Sequence, residues 1–78
     1  MPELTFTERQ ELTEEIRSKL TEYALSQRWL ILQLGAKGLV TDKSEMSSVL
    51  AGTRIGAKVD EIIRRSLDIL SDYERVQL

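Results

Sequence analysis

The side chains best suited to chemistry form one short polar cluster, Lys43-Ser44-Glu45 and Ser47-Ser48. A lysine ammonium can donate to O6 and N7 of guanine, and a serine hydroxyl can bond donors or acceptors on base edges. A glutamate among them repels phosphate and suits only a base amine such as that of cytosine. Catalysis has little to work with. The 78 residues include no histidine and no cysteine, which removes the commonest general base, the commonest metal ligand and any thiolate site. The carboxylate pairs Glu14-Glu15 and Asp60-Glu61 are adjacent in sequence, and adjacent residues on a helix do not face one another. Both pairs read as solvated surface. GAKG and GTRIG lack the phosphate-loop pattern. Neither an enzyme nor a cofactor is expected.

The polar cluster must be carried by a short helix. Thr41-Asp42 supplies an N-cap candidate, Met46, Val49 and Leu50 share one face, and Gly52 is the stop. A helix precedes it. Ser26 is a good N-cap, Leu30 and Leu34 recur at helical spacing beside Trp29, and Gly35 is the expected end. Earlier still, Thr7-x-x-Gln10 reads as a capping box opening a helix to about Ala24. Its stripe is Leu12, Ile16, Leu20 and Tyr23, with Glu15–Lys19 as an i,i+4 ion pair. An unbroken helix from Thr7 to Leu34 is the alternative, since no Gly or Pro lies between. Leu25 is expected to drop into the core. After the turn TRIGAK, where Thr53 or Gly56 can cap, a last helix runs from about Ala57 to about Arg75. Its apolar face is Val59, Ile62, Ile63, Ser66, Ile69, Leu70, Tyr73 and Val76. Residues 1–6 read as a loose arm.

From Ser26 to Lys58 the order SQxxL, LG, then SxMSxVLxG with a following Arg54 resembles the helix-turn-helix of the lambda-repressor-like (XRE/Cro-type) family, small phage-type regulators in particular. The resemblance extends from about Leu12 to Leu70. Two departures stand out: AKGLVTD makes a longer link than usual, and Ile31 stands where the family has Ala. The resemblance implies an all-α, compact four- to five-helix domain whose second and third helices form the helix-turn-helix. It implies base contacts from Lys43, Ser44 and Ser48, to which the exposed Ser47 is added, and a phosphate contact from Gln27 at a helix N-terminus. Arg54 and Lys58, flanking the turn after the third helix, are the further phosphate candidates.

Composition sets the remaining bounds. One domain is expected over residues 1–78. Hydrophobic content of 41% and charged content of 31% are globular values. MPELTFTERQ has no signal-peptide pattern, so a cytoplasmic chain is expected. The net charge of −2 argues against a nucleic-acid partner, but its distribution is uneven. Residues 37–65 hold six bases and four acids, while the segments on either side are each acidic by two charges. Trp29 and Tyr23 suit packing better than stacking on single-stranded bases.

Two functions follow. The favoured one is a sequence-specific, Cro- or repressor-type regulator bound to a double-stranded DNA operator as a homodimer. The alternative is a protein-interaction module of the same fold, such as an antirepressor that binds a phage repressor. Glu45, the long link and the acidic balance favour the latter. A purely structural helical dimeriser is a third possibility. The surplus of apolar residues on the last helix marks Ile69, Tyr73 and Val76 as the dimer or partner interface.

Overall fold

The computed structural model describes residues 3–77. Thr5 opens the first helix, α1 (Phe6–Glu22). Its hydroxyl accepts from the Glu8 amide at 3.1 Å, and the Glu8 carboxylate accepts from the Thr5 amide at 3.0 Å. The start is thus two residues earlier than the expected Thr7. Two overlapping capping boxes compete here, Thr5-x-x-Glu8 and Thr7-x-x-Gln10. The charged acceptor of the first makes the stronger bond and also suits the positive helix end.

The next two helices are α2 (Gln27–Ala36), capped by Ser26, and α3 (Lys43–Ala51), capped by Asp42, as expected. The last is α4 (Ala57–Gln77). Among the described residues the fold is all-α, with four helices and no strand.

The first three helices close in the same way, with a residue in left-handed conformation and paired backbone bonds that satisfy the last carbonyls. After α1 the Leu25 amide reaches Leu20 at 2.8 Å and Ala24 reaches Thr21 at 3.2 Å. After α2 the pairs are Leu39 to Leu34 at 2.9 Å and Gly38 to Gly35 at 3.0 Å. After α3 they are Thr53 to Ser48 and Gly52 to Val49, both at 3.1 Å. Ala24, at φ 55°, accepts the left-handed strain that Gly38 and Gly52 avoid. This turn separates α1 from α2, so the unbroken helix from Thr7 to Leu34 does not form. Gly35, the expected stop, lies inside α2. An apolar residue after the left-handed one, packing back on the helix, favours this closure, although α3 closes with the exposed Thr53 in that place. Leu39 after Gly38 packs in this way against the core, whereas Ala36 after Gly35 is exposed.

The stripe of α4 packs on all three other helices, and α3 in turn touches α1 and α2. The core joins Ile16 and Leu20 of α1, Leu30 and Leu34 of α2, Met46, Val49 and Leu50 of α3, and Val59, Ile62, Ile63, Ile69 and Leu70 of α4. Leu25 is half-buried against it. Ser66 sits in the middle of the α4 stripe, fully buried, with its hydroxyl unpartnered.

Two polar ties hold the ends of α4. At its N-terminal end Asp60 is buried, not solvated as its place beside Glu61 suggested. Its carboxylate takes the buried Arg9 guanidinium at 3.4 Å and the Leu4 amide at 3.0 Å, while Arg9 also donates to the Leu4 carbonyl at 3.0 Å. The arm expected over residues 1–6 is therefore anchored at Leu4; residues 1 and 2 lie outside the described residues. At the other end Glu74 accepts from the Lys19 ammonium and, at 2.7 Å, from the Tyr23 hydroxyl. Lys19 thus crosses to α4 and does not form the expected pair with Glu15. The Tyr73 ring lies 5.3 Å from Tyr23 and 5.6 Å, edge-on, from Trp29.

These ties generate two expectations. Asp60→Ala leaves a buried guanidinium uncompensated and should cost about 3–5 kcal/mol, whereas the paired change Arg9→Met/Asp60→Leu should recover most of that loss. Equal losses in urea unfolding of both variants would show that the buried charge is not the cause. The second concerns pH. The Lys19 ammonium and then the Tyr23 hydroxyl hold the Glu74 carboxyl below its ordinary 4.5, and the bond to Glu74, then burial, push Tyr23 up to about 12. A depressed carboxyl contributes stability above pH 4.5 that is lost as pH falls through its folded value. A raised phenol contributes stability below pH 10.0 that is lost as pH rises toward about 12. Glu74→Gln should flatten both limbs of a stability–pH curve; a curve parallel to wild type would remove the triad from that account.

Candidate nucleic-acid interface

Helix α3 is held on several sides. Asp42 caps its start, its Oδ1 accepting from the Glu45 amide at 2.7 Å. At its end the Arg17 guanidinium of α1 donates to the Leu50 carbonyl. Met46, Val49 and Leu50 are buried beneath it. At about 100° per residue, Ser44, Ser48 and Ala51 then point away from the core, with Ser47 toward one flank and Glu45 toward the other. Lys43 lies at the N-terminal turn. Of the four candidates for base contact, Lys43, Ser44 and Ser47 are exposed and Ser48 is half-buried. The short side chains of Ser44, Ser47 and Ser48 leave the outer face of α3 low, with Lys43 as the charge at its leading end.

The phosphate candidates gather on both flanks. Gln27, the first residue of α2, accepts at Oε1 from the Ser47 hydroxyl at 3.2 Å. Residues 45 and 47 point about 200° apart around the helix, so the opposite flank belongs to Glu45. There Lys58 Nζ lies 3.2 Å from Glu45 Oε1, and Arg54 lies 3.9 Å from Oε2. Thr41, itself buried, donates its hydroxyl to the same Oε1 at 2.7 Å. The Thr41 hydroxyl, followed by Lys58 and Arg54, holds the Glu45 carboxyl below its ordinary 4.5.

Glu45 was grouped by sequence with the exposed polar face. In the fold it is half-buried and turned aside toward Lys58 and Arg54. Local spacing had no signal for this, because its cations lie 9 and 13 residues further on, beyond a turn. From sequence Thr41 is no more than part of a cap; in the fold its hydroxyl also serves Glu45.

The proposed contact residues of α4 separate. Ile69 is buried in the chain's own core, Tyr73 is half-buried between Tyr23 and Trp29, and Val76 is 81% exposed. Trp29, Gln33, Lys37, Asp72, Tyr73 and Val76 border an open groove between α2 and the end of α4. Among the described residues no acidic group is arranged to hold a metal ion, and no helix is long and apolar enough to cross a membrane.

Comparison of the chain with protein-family models, with curated proteins and with solved structures finds no match.

Proposed function

We propose that the chain is a sequence-specific DNA-binding regulator of the lambda-repressor-like type, with α3 as its reading helix. The observation that carries this is the arrangement around α3. A low outer face of Ser44 and Ser48, led by Lys43, is bordered by Gln27 on one flank and by Arg54 and Lys58 on the other. A helix lying in the major groove meets phosphate backbones on both sides, and phosphate contacts fix register while base-edge contacts choose sequence. Small side chains let the helix approach the bases closely. The Gln27–Ser47 bond and the Asp42 cap pre-organise it. The six-residue connection between α2 and α3 is longer than the usual turn of such a motif.

The expected assembly is a homodimer on two half-sites about 34–36 Å apart, paired through the exposed end of α4 at Tyr73 and Val76. Ile69 then acts from beneath, by fixing the α4 surface.

A protein-binding role, as for an antirepressor, is the second reading. The observation favouring it is that Glu45 compensates Arg54 and Lys58, so that the face around α3 carries little net charge.

Selection from a random duplex pool, followed by fluorescence polarisation, separates the two. An enriched site is expected, and Lys43→Ala/Ser44→Ala should lose about 1–3 kcal/mol of preference for it over random DNA. Equal loss on both DNAs would remove Lys43 and Ser44 from sequence reading, and failure to enrich any site would favour the protein partner. The dimer has its own check. Light scattering at tens of micromolar should give twice the 8.9 kDa chain mass, and a monomer would overturn pairing through α4.

A further inference from the structure

The Glu45 carboxylate occupies a cradle whose donors suit a phosphate. A hydroxyl, an ammonium and a guanidinium converge on its two oxygens: Thr41 Oγ1 at 2.7 Å, Lys58 Nζ at 3.2 Å and Arg54 at 3.9 Å. The three donors come from different places, the residue before the α3 cap, the loop after α3 and the first turn of α4. Each is held by its own backbone. Thr41 is buried, whereas about half of the Lys58 and Arg54 side chains is exposed to solvent. Lys58 in the first turn of α4 is unfavourable for the helix dipole, and Glu45 offsets that cost in the free protein.

We propose that Thr41, Arg54 and Lys58 form a phosphate-class anion site, and that Glu45 is its built-in occupant, displaced when a backbone phosphate of a nucleic acid enters. The carboxylate mimics the anion and sets the donors in place. It also masks two cations, so the free chain binds random polyanions weakly. A bound duplex must supply enough contacts elsewhere on α3 to displace the carboxylate. Electrostatic affinity is thereby made conditional on a fitting groove. The site deepens the DNA-binding proposal and rests on it for the identity of the anion.

The test uses the full chain and a 25-bp duplex of arbitrary sequence. Glu45→Gln should bind it up to about tenfold more tightly than wild type, since two exposed ion pairs no longer have to be broken. Its log-affinity should fall with log salt at a slope within about one unit of wild type, since Arg54 and Lys58 neutralise the same phosphates in both complexes and only one carboxylate charge is removed. Glu61→Gln is the control. Glu61 pairs with Arg65 at 3.9 Å elsewhere on α4, so the same charge is removed away from the cradle. It should change affinity less than about twofold. In an Arg54→Ala/Lys58→Ala background the gain from Glu45→Gln should vanish. Equal gains from Glu45→Gln and Glu61→Gln, or a loss from Glu45→Gln, would overturn the masked site while leaving DNA binding intact. If Glu45→Gln gains through Arg54 and Lys58 but no sequence is ever preferred, the masked site stands and sequence reading falls. If no variant binds any duplex, both fall. A measurement on the wild type guards against misfolding of the variant. The Glu45 carboxyl carbon signal should titrate at higher pH with the duplex bound than without it, and an unchanged midpoint would overturn displacement.

Discussion

The burial of one stripe on α4 is the constraint on which the other helices depend. α4 packs against all three others, as the much shorter α3 does, and its most extensive contact is with α1. A chain of 78 residues has little core to spend, so a single long helix serving as the shared wall is an efficient solution. Val59, Ile62, Ile63, Ile69 and Leu70 fill that wall, and Ser66 sits among them with its hydroxyl unpaired. Its small volume allows close approach at the centre of the stripe, at the expense of an unsatisfied polar atom. The polar ties at the two ends, Arg9–Asp60–Leu4 and Lys19–Glu74–Tyr23, then fix rotation and register of α4 against α1. A helix wall that is apolar along its length tolerates sliding; ion pairs at both ends do not.

Placement of α3 follows from that wall. Its buried Met46, Val49 and Leu50 leave only one orientation of the outer face, and the Asp42 and Gly52 ends set its length. What the fold decides beyond this is electrostatic. Glu45 is turned aside, drawing Arg54 and Lys58 with it, so the charge visible around α3 is smaller than the list of cations in residues 37–65 suggests. Surface pairs of this kind contribute little to stability. Their consequence lies in what the face can attract.

Much of this was legible in the sequence because it is encoded over short distances. Ser26, Asp42 and Gly52 act on backbone groups within a few residues, and each does what its type and position suggested. The buried sides of α3 and α4 followed from helical period, apart from Tyr73, which is half-buried, and Val76, which is exposed. Where two local signals overlap, the fold uses the one the sequence reading does not single out: Thr5 in place of Thr7, and Gly38 in place of Gly35. In both cases the decision rests on a third residue, the Glu8 carboxylate or the apolar Leu39, that must reach a particular backbone atom or packing site. What sequence could not give is pairing across the fold. Arg9 and Asp60 are 51 residues apart, and Lys19 and Glu74 are 55 apart. Without such partners Asp60 looks like any solvated acid, and Lys19 looks best matched to Glu15.

The same limit explains why the candidate site is harder to read than the fold. Burial is dictated by side-chain type and period, both local. Recognition depends on which polar groups remain unspent after the fold has used the rest. Arg9, Asp60, Lys19, Glu74 and Arg17 are consumed in holding helices together. Gln27 and Ser47 have a bond to each other, and Glu45 holds two cations. Lys43 and Ser44 are left exposed at the leading end of α3. On the DNA-binding proposal, a surface so sparse gains specificity by exclusion as much as by attraction. On the masked-site proposal, the carboxylate flank repels an ill-fitting polyanion, and only a partner that engages the leading turn and displaces Glu45 gains access to the cations behind it.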